Sequence, residues 1–148
     1  MQNESPFNTV PPVPLALVIV IAGIELAFSA AEQGWVGGAM GVGWRAAAFQ
    51  DYAFAPAVMS EIFERGRGTP DLWLRFVSYP FIHYSFTHAL WVCVLLLALG
   101  KFVGEVYHAL SFLFLFFAAT ILGAAVYGAL SWQNTALIGA FPGVYGLI

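Results

Sequence analysis

Apolar residues in this chain fall in long unbroken runs, not in the short alternations of half-buried strands. The first run, Val13–Ala31, carries Glu25 as its one charge. The second, Tyr79–Leu99, opens with His83, Ser85, Thr87 and His88, turns almost wholly apolar, and exits at Gly100 and Lys101. The third, Val106–Leu130, follows Glu105 and carries no Asp, Glu, Lys or Arg. At 1.5 Å rise per residue, each run crosses or nearly crosses a hydrocarbon core about 30 Å thick. A fourth run, from Ala136 to Ile148, is too short to cross as a straight helix. It is either re-entrant or the start of a longer helix, and the missing cap and polar tail favour continuation. The pattern therefore predicts an all-α polytopic membrane protein.

The stretches between the runs differ in kind. Residues 1–12, MQNESPFNTVPP, hold Glu4 and no Lys or Arg, which does not suit a secretory signal. They read as an N-terminal lead-in, stiffened where Pro11, Pro12 and Pro14 meet the first helix. Residues 32–75 are broken by glycines and scattered with Trp35, Trp44, Tyr52 and Phe54, rings that favour the headgroup level. This segment is expected to be a half-embedded loop. Within it, VMSEIFERGRG predicts a short surface helix stopped by Gly66 and Gly68, with Thr69 or Asp71 capping the next segment. In the third run, Ala119 with Gly123 and Ala124 with Gly128 repeat small residues at spacing four, which lets another backbone approach one helix face.

Composition narrows the partners. The chain is 61% hydrophobic and 9% charged, against roughly 25% charged in soluble domains, so membrane lipids are its expected surroundings. With five Lys plus Arg and a net charge of -3, it has no basic patch for nucleic acid. Cys93 is the single cysteine, which excludes an intrachain disulfide framework; a buried, inert thiol is expected. The long loop holds Arg45, Arg65, Arg67 and Arg75, and a raw positive-inside count would make it cytoplasmic. That count weighs little, because only Arg75 lies close before a membrane run. Glu25 is expected to be an interfacial or helix-packing carboxylate, since no apolar run supplies a second acidic residue.

The residue types that carry chemistry are His83 and His88. Five apart, they point about 140° from each other on a helix, a poor chelating pair without an acidic neighbour. No metal and no cofactor is expected. Both histidines are read as polar intramembrane contacts to the loop or neighbouring helices. Ser85, Ser111 and Ser131 are nucleophiles by type only, and none lies in a glycine-rich turn that would supply oxyanion donors.

The stretch WLRFVSYPFIHYSFTHALWV resembles the start of the second helix of the rhomboid intramembrane serine proteases. Trp73 and Arg75 match that family's Trp-x-Arg, and His83 and His88 match its two histidines. LALGKFVGE resembles the family's helix exit, with Glu105 one residue late. GAFPGVYGLI resembles the fourth-helix motif that begins Gly-x-Ser-Gly, with Gly139, Tyr145 and Gly146 in place. The resemblance covers residues 13–148. It implies a partial rhomboid-like bundle: helix 1 at 13–31, the half-embedded loop at 32–75, helices 2 and 3 at 79–99 and 106–130, and the start of helix 4 at 136–148. It further implies a cytoplasmic N-terminus, the long loop on the outer side, and a bacterial inner membrane.

The departures from the family lie at its catalytic positions. Phe141 stands where the family has its nucleophilic serine, Pro142 follows in place of glycine, and Val92 replaces the asparagine that helps hold the oxyanion. His88, which assists the oxyanion in the family, is retained. The expected protein is a pseudoprotease that binds or stabilises a transmembrane partner, for instance as an accessory subunit of a membrane complex. Two alternatives are an active intramembrane serine endopeptidase and a small transporter or channel component.

Overall fold

A computed structural model describes residues 10–148, so most of the lead-in lies outside the described residues. The chain forms α1 (Pro12–Glu32), α2 (Gly38–Gly41), α3 (Trp44–Tyr52), α4 (Pro56–Met59), α5 (Pro70–Ser78), α6 (Phe86–Val106), α7 (Ala109–Leu130) and α8 (Phe141–Tyr145). Three of these, α1, α6 and α7, are long and apolar enough to cross a membrane. The protein is an all-α polytopic membrane protein. Among the described residues the one extended pairing is an isolated antiparallel bridge, Phe54 with Leu137.

The spanning helices start and stop for local reasons. In α1, Pro12 at the first helical position loses no bond that the helix needs. The second spanning helix begins at Phe86, not Tyr79. Pro80 sits in a single 3-10 turn, Tyr79–Phe81, and Ile82 is extended. Ser85 then caps the new helix by accepting from the His88 N–H at 3.3 Å. The same helix runs past Gly100 to Val106, because Gly100 and Gly104 face α1. A Cβ at Gly100 would sit 2.7 Å from Pro14 Cβ, and one at Gly104 would sit 2.7 Å from Pro11 Cβ. These glycines let α1 and α6 pack closely and antiparallel. The third spanning helix begins at Ala109, with an extended His108 before it, and not at Val106. The last run is helical only at Phe141–Tyr145. Leu137 is held in the bridge to Phe54, and Gly139 has φ +87°, which no helix accommodates.

The loop is structured. The short surface helix expected within VMSEIFERGRG is α4, continued by one wide π turn over Ser60–Glu64. Two apolar clusters organise the molecule. One joins α1, α6, α7 and α8 through Ile21, Val92, Leu96, Phe112, Phe116 and Val144. The other seats the loop on α7 through Phe54, Val58, Ile62, Phe76, Tyr79 and Ala124. Tyr79, fully buried, donates its hydroxyl to the Thr120 carbonyl at 2.8 Å and so pins the loop's end to the middle of α7.

Candidate functional site

The chain brings its histidines and its Gly-rich motif together through α6 and α8. The His83 and His88 rings meet edge to face, with centroids 5.1 Å apart. The His88 ring stacks on Phe141 at 5.3 Å and 19°. Phe141 stacks in turn on Tyr145 at 5.8 Å and 20°. Three rings therefore form one ladder running from the start of α6 along α8.

Gly139 makes this approach feasible. A Cβ there would lie 2.8 Å from both Cε1 and Nε2 of His88, and the positive φ would strain any other residue. Its N–H donates to the Tyr79 carbonyl at 3.0 Å. Behind the ladder, Gly143 backs onto Phe116 and Thr120, and Gly146 onto Ala119. Val92 is fully buried in the same cluster as Ala140 and Val144, which Phe141 borders.

Apart from His83, the polar groups here have partners of their own. His88 Nδ1 accepts from the Tyr84 N–H at 3.3 Å, which leaves the proton of the neutral ring on Nε2. The Ser85 hydroxyl is taken up as the cap of α6. The Thr120 hydroxyl donates to the Phe116 carbonyl within α7. His83 is buried, and neither ring nitrogen has a protein partner. Burial first, and then His88 and Arg45, push its pKa down from 6.5 to about 4. Among the described residues no three His, Cys, Asp or Glu side chains gather as metal ligands.

Glu25 finds its partner in a residue that sequence reasoning did not single out. Arg45, on α3, donates to Glu25 Oε2 at 2.9 Å and to Oε1 at 2.8 Å, a forked pair buried on both sides. Ser29 adds a bond to Glu25 at 3.1 Å. Arg45 also donates to Glu32 at 2.6 Å and 3.2 Å, and to the His83 carbonyl at 2.7 Å. One guanidinium thus ties α1, the loop and the segment before α6 together. The carboxylates beside it push the Arg45 pKa upward and keep it charged. The signal was the cost of Glu25 in an apolar run, which calls for a cation; which arginine answers depends on the loop's path.

The remaining motif residues have structural places. Arg75 donates to the Ala53 carbonyl at 3.2 Å, and Trp73 stacks on Phe76. The two small-residue pairs of α7 face different neighbours. Gly123 meets Pro142, and Ala119 meets Gly146, both on α8 or its cap. Ala124 packs in the loop cluster, and Gly128 meets Met59. Cys93 is a buried free thiol between α1 and α6.

No curated protein and no solved structure matches the chain. The sequence profile of the Rhomboid domain matches residues 70–148, from α5 through the histidine pair and α7 to the end of α8. That match takes in more than half of the chain and every residue of the aromatic ladder, and with it the protein belongs to the rhomboid family.

Proposed function

We propose that this integral, multi-pass member of the rhomboid family is a pseudoprotease that binds or stabilises a transmembrane partner within the bilayer. The observation that carries the reading is the ring stack of His88, Phe141 and Tyr145. At the position of the family's nucleophile, Phe141 presents an aromatic face to His88, and a phenyl ring cannot attack a carbonyl. Val92 has no side-chain N–H for an oxyanion, and Pro142 has no backbone N–H. Apolar packing takes the place of polar groups whose burial would need partners. The fold retains spanning helices with exposed apolar faces, which suit lateral contact with another helix. In this reading the N-terminus is cytoplasmic, the long loop lies outside, and the membrane is a bacterial inner membrane.

The test is photocrosslinking of the full-length protein in its own membranes, with a photoreactive residue in place of Tyr145. A discrete adduct with one helical membrane protein supports the reading. A clean monomer with no stoichiometric adduct contradicts the binding role.

A further inference from the structure

Away from the ladder, α1 and α6 flank a cleft made of two adjoining cavities. Its inner part, about 280 Å³, is walled by Val18, Ala22, Leu90 and Cys93, with the Glu25 carboxylate, tied up by Arg45, as its one charged wall. Its outer part, about 590 Å³, opens among Glu32, Gln33, Arg45 and Tyr84. Leu26 and Phe86 wall both parts, so the apolar cavity adjoins the more polar one. Leu26, Phe86 and Leu90 are each about half exposed along it.

The mouth has a definite charge. Arg45 is one cation held between two carboxylates, so the cluster carries one negative charge in excess. Glu25 is sealed at 2% exposure, whereas the Glu32 side chain is 42% exposed. The excess charge is therefore presented at Glu32, on the rim. Gln33 and Tyr84, whose side chains carry N–H and O–H donors, line the same cavity as Glu32.

From this geometry we infer that the cleft binds one phospholipid with a primary-amine headgroup. The acyl chain lies between α1 and α6, the ammonium meets Glu32, and the phosphate meets the Gln33 and Tyr84 donors. The cleft lies between two spanning helices, with its polar end at the loop, so its two parts match the two parts of a lipid. Net negative charge at the rim selects against an anionic headgroup, which has no ammonium to offset its phosphate. The inference is independent of the pseudoprotease reading, since no residue of the aromatic ladder lines the cleft.

The experiment places the full-length protein in nanodiscs with equal phosphatidylethanolamine and phosphatidylglycerol, extracts it mildly, and counts retained lipids by native mass spectrometry. The expected result is one retained phosphatidylethanolamine, favoured by about fivefold, the effect of one charge contact at a membrane surface. L26W and, independently, L90W fill the cleft from exposed positions and should abolish retention. E32Q should keep a lipid and lose the headgroup preference. Equal retention of both lipids by the unaltered protein overturns the inference. So does undiminished retention in both tryptophan variants, or a photoreactive residue at Leu90 that captures a protein helix in place of lipid.

Discussion

Replacing Arg45 with methionine tests whether a single buried guanidinium holds the loop to the bundle. The side chain makes five hydrogen bonds, to Glu25, Glu32 and the His83 carbonyl. Summing about 1.5 kcal/mol for each would overshoot, because bonds on one group are not independent. Two considerations set the scale. Breaking a buried pair by removing one partner costs about 3–5 kcal/mol, since it strands a charge. Glu25 keeps its bond from Ser29, and the half-exposed Glu32 returns to a more hydrated state, so R45M should cost about 3 kcal/mol, the lower end. E25L leaves Arg45 with Glu32 and the carbonyl, and should cost about 2 kcal/mol. The double variant strands no buried charge and should also cost about 2 kcal/mol, so the coupling is about 3 kcal/mol. The assay is reversible unfolding of the purified protein in mixed micelles, followed by tryptophan fluorescence. A double variant that loses about 5 kcal/mol, the plain sum of the singles, would refute the reasoning. So would an R45M loss below about 1 kcal/mol, the value of an exposed pair.

The same contacts set other outcomes. G146A places a Cβ against Ala119 and should destabilise by about 2 kcal/mol, read in the same unfolding assay. G123L should push α7 off Pro142 and lower the yield of folded protein, whereas unchanged accumulation would mean that face is free of packing. Stability should fall with pH between 6.5 and about 4: the folded state keeps His83 neutral, the unfolded state protonates it below 6.5, and the loss is on the order of 3 kcal/mol once pH passes the folded value. H83N should flatten that slope. F141S alone should not produce cleavage of a helical membrane substrate, because Val92 and Pro142 still supply no donors, and loss of cooperating groups is not repaired singly.

Much of the fold is legible in the sequence, for a physical reason: a hydrocarbon solvent forces long apolar helices, and their cores show as unbroken runs. Val13–Ala31 differs from α1 by one residue at each end. The start of α6 is less legible, because its position depends on a serine cap and a proline turn while the surrounding residues stay apolar. Its far end depends on Gly100 packing on Pro14 of α1 and Gly104 on Pro11 just before it, a tertiary contact that reads locally as a helix stop. The two small-residue pairs of α7 mark packing faces, but which neighbour each meets is decided by where α8 and the loop fall. The site shows the same division. The His83, His88 and Phe141 positions stand out by motif, while their stacking requires the close approach at Gly139. Arg45 is hidden because a glycine-broken loop separates it from Glu25 and gives no periodicity to trace.

The proposed pseudoprotease reading takes the stacked rings of His88, Phe141 and Tyr145 to occupy the place of the family's nucleophile. The most direct check is treatment of the full-length protein, in its native membrane, with a serine-directed fluorophosphonate probe, alongside an active rhomboid protease as control. The pseudoprotease reading predicts labelling of the control and none of this protein. Labelling that disappears when one serine of this protein is replaced by alanine would contradict it.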